Sequence, residues 1–288
     1  VPKYNFISGL PRSGSTLLSA ILNQNPRFTA SISDPLLGYV DGIRVASENA
    51  VGVGSLVNND RRLHIMRGIF DSFYDDDSEV CFNTNRGWAG STSLLKALYP
   101  DFKMIVCVRE IPWILDSFEV LESKNPLTIK PLYHHQSLNT VYDRCEMLMG
   151  NLGYVGYVGE PLKSIKQSIT CAERDQILYV EYDALAKHPQ EAMDVIYNFI
   201  DEPEFQHDFD DVEVSFDEFD ESAKIEGLHT TRSTVQFIPR NFLIPNDIVT
   251  KYSGSSFWKM RGFSSDNLNW VKAAEEPQKS KNFFNKKL

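Results

Sequence analysis

Tyr4-Asn-Phe-Ile-Ser-Gly-Leu-Pro-Arg-Ser-Gly-Ser-Thr-Leu-Leu18 is the stretch whose reading decides how this 288-residue chain folds. The apolar run Tyr4 to Ile7 reads as a buried strand, Gly9 to Gly14 as a tight loop, and Ser15 to Leu22 as a helix opening directly out of it. Backbone N–H groups in such a loop converge on an anion, and the helix N-terminus adds its partial positive charge. Gly9 and Gly14 have the separation of a Walker A loop and Thr16 stands where its hydroxyl belongs, but Ser15 replaces the lysine that reaches the outer phosphates. The cationic side chain of the loop is Arg12 instead. A glycine- and serine-rich turn between a strand and a helix also occurs without any ligand, so the loop alone leaves a structural turn as the alternative.

Working outward, a polar, irregular region runs to about Asp77 and contains a helix around Arg61 to Phe73. Glu79 to Asn83 then reads as a strand, Ser91 to Leu98 as a helix, and Lys103 to Arg109 as a strongly β-type run. A helix follows from about Pro112 to Glu122, with proline in the first turn, where its missing N–H costs nothing. Gln176 to Glu181 is a further strand, and a helix from Pro189 carries Met193, Ile196 and Ile200 on one face. Strands alternating with helices predict an α/β protein, a P-loop-containing three-layer fold with a central parallel sheet flanked by helices. Ligands bind such sheets at the carboxyl ends of the strands, where the Gly9 to Thr16 loop lies. No linker divides the chain, so one domain is expected over 1–270, with a substrate-covering insert at 119–172 and a polar C-terminal arm at 271–288.

Composition narrows the function classes. The apolar content of 42% and charged content of 24% are those of an ordered globular protein, which excludes a disordered chain. The apolar run Met104 to Val108 is too short to span a bilayer, and no targeting segment is visible, so a soluble, cytoplasmic protein with no membrane partner is expected. Cys81, Cys107, Cys145 and Cys171 are dispersed without ligand spacing and read as reduced core residues. The net charge is −10, yet Asp201 to Glu221 alone holds eleven carboxylates and no Lys or Arg, which leaves the rest of the chain at +1. An anion site elsewhere is therefore not opposed by charge. The acidic segment interleaves Phe205, Phe209, Phe216 and Phe219 and reads as an ordered surface element, either a solvated face or a contact for a cationic partner. The chain has no basic stripe, so no nucleic acid partner is expected.

A second anion signal lies at the end of Lys103-Met-Ile-Val-Cys-Val-Arg109, with Ser117 eight residues later on the following helix. A strand-end guanidinium and a helix hydroxyl at this separation can meet on one phosphate. The Pro11-Arg-Ser-Gly-Ser-Thr16 loop resembles the 5′-phosphosulfate loop of sulfotransferases that use 3′-phosphoadenosine-5′-phosphosulfate (PAPS), and the Arg109/Ser117 pair resembles their 3′-phosphate site. Val180-Glu-Tyr-Asp-Ala-Leu185 with His188-Pro189 is similar to the family's strand and helix that bring a tyrosine, here Tyr182, to the nucleotide. Gly227-Leu-His-Thr-Thr-Arg-Ser-Thr-Val-Gln236 is similar to the late segment that closes over the donor in bacterial and tyrosylprotein sulfotransferases. The resemblance spans about residues 4 to 258 on these four islands. It implies that Pro11, Arg12, Ser13, Gly14, Ser15, Thr16, Arg109, Ser117, Tyr182, Arg232, Ser233 and Thr234 bind PAPS. The product would be adenosine 3′,5′-bisphosphate. Two departures stand out. No Lys-x-His base of the cytosolic enzymes is present, and in Cys81-Phe-Asn-Thr-Asn-Arg-Gly-Trp88 the lysine of the tyrosylprotein enzymes is replaced by Thr84, with Arg86 nearby.

Transfer to a hydroxyl needs an in-line nucleophile, a base for its proton and cations at the leaving phosphate, with no metal required in principle. Arg12 and Arg86 are the expected catalytic cations. Asp34, in Asp34-Pro35 just beyond the first helix, is the expected general base, since bacterial and tyrosylprotein sulfotransferases place an acid near there. The same residues also form an ordinary turn sequence. His134-His135, inside the expected insert, is the rival base. His229 adjoins the segment that closes over the donor and is expected to position nucleotide; His64, His188 and His207 carry no signature. A hydroxyl acceptor that is a small molecule, a carbohydrate or a peptide tyrosine fits the resemblance. The other function class open to the loop is a P-loop kinase or a non-catalytic nucleotide-binding module. The missing lysine at Ser15 argues against the kinase.

Overall fold

The structure is a computed structural model that describes residues 2–49, 57–74, 78–128, 131–212, 214, 220–222, 224–239 and 241–273. Six strands, β1 Lys3–Gly9, β2 Phe28–Ala30, β3 Val80–Thr84, β4 Lys103–Val108, β5 Ile177–Glu181 and β6 Asn269–Val271, form one sheet in the order β2-β3-β1-β4-β5-β6. Every pairing is parallel. A parallel sheet must be covered on both faces, and the two-residue period of the strands sorts their side chains into two cores. Phe6, Met104, Val106 and Tyr179 join Phe70 and Trp88 on one face. Ile7, Ile105, Cys107 and Val180 join Leu18, Ile21 and Ile196 on the other. This is the expected α/β fold with a central parallel sheet between two helical layers.

The sheet turns around β1. From it the chain runs to one side through β2 and β3 and later to the other through β4, β5 and β6, so the loops leaving β1 and β4 part and open a crevice. The helix α1, Ser15–Leu22, leaves from one wall, and α5, Ile111–Lys124, from the other. Register sets the rim: Gly9 lies beside Cys107, and Val108 beside Glu181. The residues that follow, Arg109 and Tyr182, are thereby made neighbours.

The structure corrects the expectation of an irregular stretch before Asp77. The chain there forms β2 and a helix α2, Leu36–Asn49, which packs on α3, Asn59–Phe73. The sequence Leu-Leu-Gly-Tyr-Val-Asp-Gly-Ile hides this helix because two glycines interrupt its pattern and only Leu36, Leu37 and Val40 are buried. β2 and β6 span three residues each, too few for periodicity to register.

The segment 119–172 begins within α5 and continues through α6, Val141–Met149, and α7, Gly159–Ser168. It gives Cys145, Leu148, Leu162 and Ile165 to the core and Tyr157 to the lining of the crevice. Cys81, Cys107 and Cys145 are buried free thiols, and burial pushes Cys107 up to about 12. Phe205 and Phe209 of the acidic segment pack on the second core, whereas Phe216, Phe219 and residues 274–288 of the arm lie outside the described residues. Among the described residues no helix is long and apolar enough to cross a membrane.

Candidate active site

Two glycines make the loop after β1 possible. Gly9 has φ of 134°, and a Cβ there would stand 2.1 Å from the Cys107 carbonyl oxygen, because the loop crosses directly over β4. Gly14, at φ 95°, begins α1 with no side-chain cap, so the first N–H groups of the helix are left for a ligand. Its missing Cβ also leaves room for the Tyr182 ring, whose Cδ2 would be only 2.7 Å away. Between them Arg12 adopts a left-handed φ of 60°, a strained conformation for an L side chain.

That backbone carries Arg12 across the crevice. Its Nε donates to Ser117 Oγ at 3.0 Å, and its Nη1 donates to the Leu228 carbonyl. Arg109 Nη1 donates in turn to the Arg12 carbonyl at 3.4 Å. The Arg109 guanidinium lies 3.9 Å from the Tyr182 ring centroid and 4.9 Å from that of Trp113, so two aromatic faces fix its plane. The two stretches that carry the anion signals in the sequence therefore meet, with Arg12, Arg109 and Ser117 converging.

Opposite them, the turn Arg86–Gly90 is fastened to β1 by Ser8 Oγ, which donates to the Arg86 carbonyl at 3.0 Å and accepts from Ala89 N at 3.1 Å. Arg86 is aimed by Tyr157, whose hydroxyl accepts from its Nη2 at 2.6 Å. The fourth wall is the segment 228–236, tied to the acidic segment: Val212 N donates to the Ser233 carbonyl at 2.8 Å, Val235 N to Phe209 at 2.8 Å, and Thr231 N to Val214 at 3.0 Å.

These walls enclose a cavity of about 320 Å³, within the range of small-molecule sites. Of the residues expected from the sequence, Pro11, Arg12, Gly14, Ser15, Thr16, Arg86, Arg109, Ser117, Tyr182, Arg232 and Thr234 line it. Its described lining holds four arginines and no carboxylate. Trp113 and Tyr157, which no local motif marks, join the lining, as does His229, expected from the sequence beside the donor-closing segment.

Three expected residues take other positions. The Ser13 hydroxyl is buried and donates to the Leu10 and Cys107 carbonyls, bracing the loop from behind. Ser233 is held by its carbonyl to Val212 and does not line the cavity. Asp34 is the larger correction. Ile32 and Ser33 face the cavity, while Asp34 turns into the protein, where one carboxylate oxygen accepts from Ser31, from Tyr74 OH at 2.7 Å, from Asn83 Nδ2 at 2.6 Å and from Thr84 N at 3.2 Å. Burial pushes its pKa up and the four donors pull against that shift. Oδ2 of Asp34 thus pins the end of β3, and Asp34 is not among the residues that line the cavity. The His134-His135 pair is also away from the cavity: His134 bonds the Val155 carbonyl at 2.8 Å and stacks on Tyr154.

His229 is the titratable imidazole of the lining. Its Nδ1 lies 2.8 Å from Asp220 Oδ1, and its backbone N–H donates to both oxygens of the same carboxylate, at 3.1 and 3.2 Å. Burial lowers its pKa, Asp220 opposes that, and the charges of Arg86 and Arg12 lower it further.

Fold and site together define an α/β protein with an arginine-rich cavity at the switch point of its sheet. The chain matches the sulfotransferase domain family over residues 2–288, and it belongs to that family. It is accordingly an enzyme of sulfuryl transfer, a reaction that this family directs to hydroxyl-bearing acceptors and feeds from a sulfate donor such as PAPS. Solved structures similar to it include the sulfotransferase domain from the curacin biosynthetic pathway, 16% identical over 71% of this chain and 76% of the other, with a TM-score of 0.48. A sulfotransferase from Alicyclobacillus acidocaldarius is 14% identical over 75% and 86%, with a TM-score of 0.49. The sulfotransferase domain of the Synechococcus PCC 7002 olefin synthase is 16% identical over 90% and 96%, with a TM-score of 0.46. No curated protein matches the chain.

Proposed function

We propose that the protein transfers the sulfuryl group of PAPS to a hydroxyl acceptor by in-line displacement and releases adenosine 3′,5′-bisphosphate. The observation that carries this reading is the lining itself: Arg12, Arg86, Arg109 and Arg232 with the hydroxyls of Ser15, Thr16, Ser117 and Thr234, and no carboxylate among the described residues. Such a donor set suits a ligand that bears anions at two separated positions. The uncapped start of α1 and the loop N–H groups would hold the 5′ end. Arg109 and Ser117, with Arg12 already bonded to Ser117, would hold the 3′-phosphate. PAPS supplies a sulfuryl group on a phosphate leaving group. Arg12 and Arg86 would meet the charge that builds as that bond breaks, from donors oriented in advance by Ser117 and Tyr157.

The test is ligand-dependent stability. A ligand that binds only the folded state raises its stability by RT ln(1 + [L]/Kd), about 2.7 kcal/mol at a hundredfold excess over Kd. Adenosine 3′,5′-bisphosphate is expected to raise the melting temperature strongly, and adenosine 5′-phosphate or ATP with magnesium to raise it little. Equal effects of the bisphosphate and the 5′-phosphate would remove the 3′-phosphate site from the proposal.

A further inference from the structure

The transfer reaction needs a group that takes the acceptor's proton, and the cavity offers few. Among the described lining residues there is no Asp, Glu, Lys or Cys, and the arginines stay protonated. The Tyr157 hydroxyl accepts from Arg86, and the Tyr182 ring stacks on Arg109. Asp34 and the His134-His135 pair do not line the cavity, and Oδ2 of Asp34 is taken up by four donors. What remains is His229, buried at the wall and held by Asp220 through both its ring and its backbone N–H.

Resting on the proposed sulfuryl transfer, we infer that His229 Nε2 is the general base and that Asp220 is the positioning residue that orients it. A carboxylate only accepts hydrogen bonds, so Asp220 Oδ1 at 2.8 Å places the ring proton on Nδ1 and the basic lone pair on Nε2. The backbone bond from His229 N to the same carboxylate fixes the ring's origin as well as its plane. In the reaction the acceptor oxygen forms a bond to sulfur while its proton passes to Nε2. The bond from sulfur to the 5′-phosphate oxygen breaks with its electron pair, leaving adenosine 3′,5′-bisphosphate, and the imidazolium then returns the proton to solvent. Burial and the nearby Arg86 and Arg12 keep the imidazole neutral, hence basic, at neutral pH, while Asp220 opposes them. A base near two arginines is shielded from acid, not from substrate.

The experiment uses the full chain with labelled PAPS and water as the acceptor, so that no alcohol has to be identified. Sulfate release is measured alongside calorimetric binding of adenosine 3′,5′-bisphosphate, for wild type, His229→Gln and Asp220→Asn. A positioned base contributes on the order of 100- to 10,000-fold, so His229→Gln is expected to lose about 100-fold or more in rate with bisphosphate affinity within about threefold of wild type. The kcat/KM profile of the wild type should fall on the acid side of a pKa below that of ordinary imidazole, and this limb should vanish in His229→Gln. Asp220→Asn should move the limb further toward acid, because the anion that favours imidazolium is gone; a merely structural role would leave it in place. A His229→Gln rate within threefold of wild type, or a rate loss matched by an equal loss of bisphosphate affinity, overturns the inference. A wild type that neither binds the bisphosphate nor releases sulfate overturns the transfer reading itself, and the base assignment with it.

Discussion

At the scale of single residues, Arg12 and Asp34 show what spacing can and cannot reveal. Arg12 lies inside a motif whose glycines dictate its backbone, so its place in the loop is readable from the sequence. Arg12→Ala should lower turnover by about 100-fold, the usual cost of removing one preorganised donor at developing charge. Its thermal stability should stay near wild type, since its bonds to Ser117 and the Leu228 carbonyl lie at the cavity wall. Steady-state rates and a melting curve check both halves. Position along the chain alone points to Asp34, and it does not fix which way a side chain turns in a segment without regular period. Ile32 and Ser33 hold the cavity side, and Asp34 holds four donors behind it. Asp34→Ala should therefore cost about 3 kcal/mol of stability through stranded donors, while Asp34→Asn keeps most of the rate. The pH dependence has a definite sign. Burial raises the folded-state pKa of Asp34, so the folded form binds this proton more tightly and stability falls as pH rises from the ordinary carboxylate value through the raised one. Asp34→Asn should flatten that fall in denaturant titrations at stepped pH. His229 was placed by the sequence beside the donor, but its partner Asp220 sits nine residues away in a segment without helical or strand period, so nothing in the pattern joined them.

At the scale of elements, legibility followed burial. β1, β4 and β5 are short apolar runs enclosed on both faces, and α5 and α9, Pro189–Phe199, announce themselves with a proline in the first turn. α2 was hidden because glycines and half-exposed polar residues blur its stripe. The junction between β1 and α1 is the element on which the site depends, and its two glycines are different kinds of requirement. At Gly9 an added Cβ would strike the backbone of β4, which has no side chain to move aside. At Gly14 it would meet the Tyr182 ring, which can swing at the expense of its stacking on Arg109. Gly9→Ala is therefore expected to destabilise the fold itself, visible as loss of soluble or cooperatively melting protein. Gly14→Ala is expected to fold with a strain of about 1–3 kcal/mol and to bind adenosine 3′,5′-bisphosphate at least tenfold more weakly by calorimetry. If Gly14→Ala bound as tightly as wild type, Tyr182 and Arg109 would not act as one unit at the nucleotide.

At the scale of the whole molecule, the uneven charge distribution acquires a structural reason. The acidic segment is not a detached solvated strip. Its residues Phe209, Val212 and Val214 exchange backbone bonds with 231–235, while Phe205, Phe209 and Val212 sink into the second core. The described part of the acidic segment thus backs the wall that closes the cavity, and four arginines line the cavity side; the sequence shows both charges but not the wall between them. Thr231 is the pivot of this arrangement. Its hydroxyl donates to the Val212 carbonyl at 2.6 Å and accepts from Val214 N at 2.9 Å, so one side chain satisfies two backbone groups of the acidic segment. Thr231→Val keeps the shape and strands both groups, at a cost of about 1–3 kcal/mol for each. That loss falls on the contact between the two segments. Arg232, Thr234 and the His229 ring sit within three residues of the pivot on the cavity side, so loosening the contact should weaken bisphosphate binding several-fold and slow transfer beyond the binding loss. Thr231→Ser keeps the hydroxyl and should restore both. Calorimetry and single-turnover rates on the two variants decide it: if Thr231→Val binds and transfers like wild type, the acidic segment does not support the site.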